Sequence, residues 1–444
     1  MDLRNQDRYW RLVSEHTHTV NSAVTGLSAL PGTAQSFSAA RAMTRFLNND
    51  NISFHALIEP AQDAVRAELA GRPNQFVLVV HDWSMFNFNT HTSKTDRLVR
   101  THDTDIGYEL GTALAVDATD GRPLGPMEFR LRTANAMLST RNGGASLSPG
   151  HIDEIEDAMA AADGWSFNCK PVHVIDREAD SVGHYRLWNA AGRLFVVRAD
   201  HNRTVLHNGM ERSLTDVIVD LEGSFSEVLA ADGRPGLVTV GAGVGVVNAA
   251  ETEVVLHRPA RNYTGERTAG GYKKQVLVPG TPLPLRLVVT RVIDENGGIL
   301  AEWLLMTNVT GDNEDAGTIG RWYAWRWKIE SYHKLIKSSG MNAEAWQQES
   351  GAAFLRRLCV ASMACLTVWH LQRDTSPAAA RLRIILVRLS GRQMKHKVES
   401  TATALLAGLE RLLAIDDLMQ VENLDEILEL ARRQLPYLFP NRSG

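Results

Sequence analysis

The segment WYAWRWKIESYHKLIKS, residues 322–338, carries three tryptophans, two tyrosines, one arginine, four lysine or histidine residues and a single acid, Glu330. On a helix, Tyr323, Arg326, Glu330 and Lys337 share an arc of about 60° strung along about 21 Å. Trp325, Ile329, Tyr332, Leu335 and Ile336 fall on the opposite side and predict an apolar back for the core. A line of Tyr, Arg and Lys can follow a phosphate backbone, because cations neutralise phosphates and a tyrosine hydroxyl donates to them. A lone carboxylate in that line repels the same phosphate unless a cation lies between them. Glu330 therefore implies a hard divalent ion such as Mg²⁺. The plain alternative is a solvated helix face with intrahelical pairs such as Arg326–Glu330.

Two further acids, Asp82 and Asp176, follow short apolar runs, Phe76–Val80 and Val172–Ile175. Functional groups collect at the carboxyl ends of strands in α/β sheets. On neighbouring strands both acids can face one site, with Glu330 brought in by its helix. Three carboxylates that close repel one another unless they hold cations. Two Mg²⁺ ions, about 3.5–4 Å apart, are the general solution for phosphodiester displacement, and Mn²⁺ can take their place. The plain readings are a cap or turn for Asp82 and an ion pair with Arg177 or Arg198 for Asp176. Asp103, Asp105, Glu178 and Asp180 are rival carboxylates. None of the fifteen histidines forms a His-x-x-x-His pair beside an acid, so His81, His91 and His102 read as surface or supporting groups.

The elements that must position these acids are legible in outline. Phe76–Val80 reads as a buried strand with Asp82 just beyond it. Gly107–Ala118 and a segment through Phe129 flank the turn signal Asp120-Gly121. Residues 151–163 read as a helix, Val172–Ile175 as a strand, and Leu194–Arg198 as a third buried strand. Residues 202–308 are rich in Val, Thr and Gly, with strand-like runs at 237–247, 252–256, 283–292 and 299–306. From 314 onward the chain reads as helical. Residues 380–397 hold seven Arg, Lys or His and no acid, and 402–433 are amphipathic. This order predicts an α/β layer fold with a β-rich interruption.

At this point the sequence resembles a known family. Tyr323-x2-Arg326-x3-Glu330-x6-Lys337 is similar to the Tyr-Arg-Glu-Lys signature of bacterial DDE transposases of the insertion-sequence-four type. Asp176-Arg177-Glu178-Ala179-Asp180 resembles the "DREAD" block of the branch that includes the transposon-five transposase. Phe195–Arg198 and Trp303–Thr307 lie in the order expected of that branch. Where it carries Asp-Thr-Thr at the first acid, this chain has Asp82-Trp83-Ser84.

The resemblance covers residues 35–372. It implies a ribonuclease-H-like core interrupted by a β insertion and a metal-binding triad of Asp82, Asp176 and Glu330. It also implies DNA phosphates held by Tyr323, Arg326 and Lys337, and a flipped base stacked on Trp303 while a hairpin forms. Arg198, His201 and Arg203 become candidate contacts to the element's end. The plain reading of Trp303 is a core residue, and of the other three a solvated loop.

The expected organisation is a helical DNA-binding region over 1–70, a first core part over 71–203, a β-rich insertion over 204–308, a second core part over 309–372 and a helical region over 373–444, whose Leu-rich helices at 402–433 read as a helical cap, with a dimer contact as the alternative. The implied activity is cut-and-paste transposition on double-stranded DNA, acting on terminal inverted repeats and target DNA. It implies two Mg²⁺ ions, a homodimeric synaptic complex and a place at the bacterial nucleoid. The alternatives are a metal-dependent nuclease without strand transfer and a non-catalytic, DNA-binding regulator.

Bulk properties restrict less. The 444 residues are too many for one ordinary core. A formal charge of −4 means that any polyanion site is local. Three cysteines, Cys169, Cys359 and Cys365, make neither a disulfide framework nor a zinc pattern and fit a reducing cytoplasm. Residues 1–20 predict no signal peptide, and no apolar run predicts a membrane span.

Overall fold

In the computed structural model the described residues are 3–18, 41–71, 75–100, 102–145, 151–229, 235–240, 243–267, 273–395, 398–419 and 422–435. They form a mixed α/β protein. The strands are β1 (Phe76–Asn87), β2 (Leu98–Val99), β3 (Ile106–Asp117), β4 (Pro123–Arg132), β5 (Met137–Ser139), β6 (Lys170–Ile175), β7 (Leu194–Arg198), β8 (Thr204–His207), β9 (Met210–Ser213), β10 (Ser226–Glu227), β11 (Leu237–Val240), β12 (Gly243–Leu256), β13 (Ala260–Arg267), β14 (Lys273–Val278), β15 (Leu283–Ile293) and β16 (Ile299–Thr307). The helices are α1 (Leu3–His18), α2 (Phe54–Ala70), α3 (His151–Ala162), α4 (Val182–Ala190), α5 (Leu214–Asp220), α6 (Ala316–Ala324), α7 (Trp327–Lys334), α8 (Gly351–Arg373), α9 (Pro377–Ser390), α10 (Ala402–Met419) and α11 (Leu424–Gln434).

One large mixed sheet runs β5-β4-β3-β1-β6-β7-β16-β15-β12-β8-β9, and β13-β14 form a separate two-stranded ribbon. β1 is antiparallel to β3 and parallel to β6, and β6 is parallel to β7. The central strands are buried on both faces, which is why they read as continuous apolar runs. Leu78, Val80, Val172 and Val174 pack on one side beneath α7 and α8. On the other, Val77 and Val79 meet Ala162 and Trp165, and Ile175 and Val197 meet Ile155 and Met159 of α3.

Several expectations change. β1 does not stop before Asp82 but continues to Asn87, because its pairing with β3 outlasts its pairing with β6, which ends at Val80↔Val174. The runs 237–247 and 252–256 become β11 and one long β12, whose antiparallel partner β15 spans it from Val246 to Leu256. The segment 322–338 is not one uniform helix. It tightens at Trp325–Arg326 through three-residue bonds, Arg326 N–H to Tyr323 O and Lys328 N–H to Trp325 O, and widens to a π turn over Leu335–Ser339. Tyr323 thus belongs to α6 and Glu330 to α7.

α8 corrects the reading of no span-like run: it is long and apolar enough to cross a membrane, yet 89% of its apolar window is buried inside the protein, as for a core helix. The expected helical N-terminal region falls partly outside the described residues, at 19–40, as do His396 and Lys397 of the basic cluster.

Candidate active site

Strand alternation builds the site. Leu78, Val80 and Asp82 point to one face of β1, and Val172, Val174 and Asp176 extend the same face of β6 in register. α7 lies over that face and brings Arg326 and Glu330 to it, with Ile329 and Tyr332 fully buried as its apolar back.

Arg326 sits among the acids. Its Nη2 lies 3.0 Å from Glu330 Oε1 and its Nη1 3.6 Å from Asp82 Oδ2. Asp176 is within electrostatic reach of all three. Burial raises the Asp82 carboxyl to about 6; Arg326 and the Trp83 N–H oppose that shift, and Asp176 and Glu330 add to it. Burial likewise raises Glu330, against its pair with Arg326 and with the help of Asp176. Burial alone would lower Arg326, but its interactions with Tyr323 and with the carboxylates of Asp82, Glu330 and Asp176 raise it. The site is therefore three acids with one guanidinium as internal counter-ion.

Two of the three acids are oriented by backbone donors. Trp83 N–H donates to Asp82 Oδ1 at 2.9 Å, and Glu178 N–H to Asp176 Oδ1 at 2.9 Å. The latter makes Asp176 the cap of the short 3-10 turn Arg177–Ala179. Among the described residues no three His, Cys, Asp or Glu side chains lie close enough together to hold a metal ion as they stand; Arg326 takes up the space and charge between two of the acids. The donor chemistry nevertheless fits a hard ion, since all three groups are carboxylates, and burial, with a smaller contribution from their neighbouring acids, raises the pKa of Asp82 and Glu330.

The other candidates are placed as follows. Tyr323 is buried, hydrogen-bonded to Arg198, and raised in pKa by its burial. Lys337 reaches back to β1, donating to the Met85 carbonyl and lying 3.6 Å from Glu344. Trp303 is 6% exposed and packs on Tyr323 at 5.4 Å between ring centroids, so little of its ring faces solvent. Arg203 is bound to Asp180 at 2.6 Å, and His201 lies 3.4 Å from Glu302. The first pairing also engages one rival acid, Asp180, which accepts the Tyr185 hydroxyl as well. The structure thus gathers Asp82, Asp176, Glu330, Arg326, Tyr323 and Arg198, and holds Trp303 and Arg203 in internal contacts.

Two features escaped the sequence reading. Trp327, beside Arg326, leaves 56% of its surface exposed; its only signal was the aromatic density of the segment. Behind the acids, His151 lies between Glu109 and Glu178, a grouping that no spacing in the sequence announces.

No protein-family model matches the chain, and no curated protein matches it in sequence. Among solved structures it is similar to the piggyBac transposase, seen by cryo-electron microscopy in a synaptic complex with hairpin DNA. The TM-score is 0.38 at 9% identity, covering 100% of this chain and 78% of that one. A likeness of that size assigns this chain no activity.

Proposed function

We propose that the chain is a cut-and-paste DNA transposase with a ribonuclease-H-like core. The observation that carries this reading is the meeting of Asp82, Asp176 and Glu330, from three distant parts of the chain, around Arg326. The antiparallel order β4-β3-β1 continued by parallel β6 and β7 supports the ribonuclease-H-like assignment, with the β-rich 204–308 block as its insertion.

Asp82, Asp176 and Glu330 would hold two Mg²⁺ ions, or Mn²⁺, which when bound activate an attacking oxygen and stabilise the leaving one. The chain's own groups supply the rest. Arg326 exchanges its carboxylate partners for a DNA phosphate, and Lys337 and Tyr323 position the backbone beside it. Hydrolysis at the element's end frees a 3′-OH. That hydroxyl attacks the opposite strand to give a hairpin, a second hydrolysis opens it, and the end joins target DNA. Two protomers pair the ends, and the bacterial nucleoid is the place of action.

A nuclease without strand transfer is the second reading. The burial of Trp303, the residue assigned to hold a flipped base, favours it. Incubation with Mg²⁺ or Mn²⁺ and a plasmid bearing the element's ends separates the two: excised fragment with insertions supports transposition, nicks alone support the nuclease, and binding without cutting overturns both. DNA affinity is expected to fall steeply with rising salt, and a flat response measured by anisotropy contradicts DNA as the substrate.

A further inference from the structure

We propose that His151 is a positioning residue, one imidazole that grips from the far face of the sheet the two chain segments carrying Asp82 and Asp176. The proposal rests on the reading of those two acids as site residues.

Strand alternation sends Asp82 to the α7 side of β1 and Trp83 to the α3 side. There the Trp83 indole stacks on His151, with ring centroids 4.4 Å apart and planes 11° from parallel. Gly111, opposite Trp83 on β3, leaves room for it: a Cβ there would stand 3.0 Å from Trp83 Nε1. The indole is fixed again at its edge, where Nε1 donates to Glu154 Oε2 at 3.2 Å. The same imidazole places Nδ1 2.9 Å from Glu178 Oε2 and Nε2 3.0 Å from Glu109 Oε1. Glu109 is buried in β3 and paired with Arg100 and Arg132.

The two residues held by His151 are the two whose backbone N–H groups orient the acids. Trp83 N–H bonds Asp82 Oδ1, and Glu178 N–H bonds Asp176 Oδ1. A displacement of Trp83 or Glu178 therefore turns a site carboxylate directly. One ring, anchored to β3 through Glu109, couples the β1 and β6 ends where their mutual pairing has already stopped at Val80↔Val174. Supporting partners of this kind hold their acids within the narrow tolerance that displacement chemistry needs.

The test is hydrogen exchange by mass spectrometry on the full chain, comparing wild type with His151→Ala and His151→Phe. His151→Ala is expected to speed exchange about tenfold in both 82–85 and 176–181, leaving β15 unchanged. His151→Phe keeps the stack on Trp83 and loses both nitrogen contacts to the glutamates, so only 176–181 is expected to loosen. It also serves as the readout should the alanine variant not fold. Unchanged exchange in both segments, or loosening confined to α3, overturns the proposal. A parallel assay of Mg²⁺-dependent DNA cleavage is expected to fall about 10–100-fold in His151→Ala at unchanged DNA affinity. If the wild-type chain does not cut DNA, the proposed function fails, while the exchange experiment still decides the role of His151.

Discussion

The two faces of β1 are built from alternate residues of one strand and solve opposite problems. On the α7 face, Asp82 stands near two other acids with Arg326 as partial compensation, and burial raises its carboxyl to about 6. On the other, His81 is sealed against His173, Nε2 to Nδ1 at 2.9 Å, and burial lowers both rings, His173 to about 3. The His81–His173 pair is neutral and shares its proton internally. The acid face keeps buried carboxylates whose desolvation Arg326 only partly offsets, at a cost in stability.

The largest effect should come from the acid face. Glu330→Gln is expected to lower DNA cleavage by at least about 10²-fold, since even partners one step removed from metal ligands contribute about 10–100-fold, while DNA binding measured by anisotropy is retained. Intact cleavage removes Glu330 from the site.

At the His81–His173 pair on the opposite face the expected effect is on stability alone. His173→Leu strands the His81 ring nitrogen and should cost about 1–3 kcal/mol in urea unfolding at pH 7. The double change His81→Leu/His173→Leu should lie nearer to neutral, because both partners leave together. Equal costs for the single and double variants would break the description of a hydrogen-bonded pair.

The smallest effect separates the faces by sign. Burial puts the folded-state pKa of Asp82 at about 6, above its ordinary 3.8, so the folded chain binds that proton more tightly and stability falls as pH rises between those values. For His173 the folded pKa, about 3, lies below 6.5. The unfolded chain binds that proton more tightly, and stability falls as pH drops through that window. Asp82→Asn should therefore stabilise the metal-free protein by about 1–2 kcal/mol at pH 7 and not at all near pH 4, after discounting for partial solvent exposure. A gain at pH 4 as large as at pH 7 contradicts the raised carboxyl.

Much of the architecture was legible because local patterns carry it. The apolar runs at 76–80, 172–175 and 194–198 became the central strands, and the turn at Asp120-Gly121 joins β3 to β4. The apolar back of the 322–338 segment, Ile329, Tyr332, Leu335 and Ile336, is buried as its spacing required. The course of β1 past Asp82 was not legible, because it depends on β3 lying alongside. Nor was the internal pairing of Arg203 with Asp180, since neither residue type nor spacing distinguishes a surface arginine from a bridging one.

By itself the sequence determined which residues could do chemistry and which faces had to be buried, because hydrophobic periodicity and side-chain charge are properties of short stretches. Only the tertiary structure decided that Asp82, Asp176 and Glu330 share Arg326, and that His151 grips Trp83 and Glu178 from behind. Apart from Arg326–Glu330, those relations join residues far apart in the chain. Their geometry is set by strand order, register and helix placement, which are outcomes of packing the whole sheet.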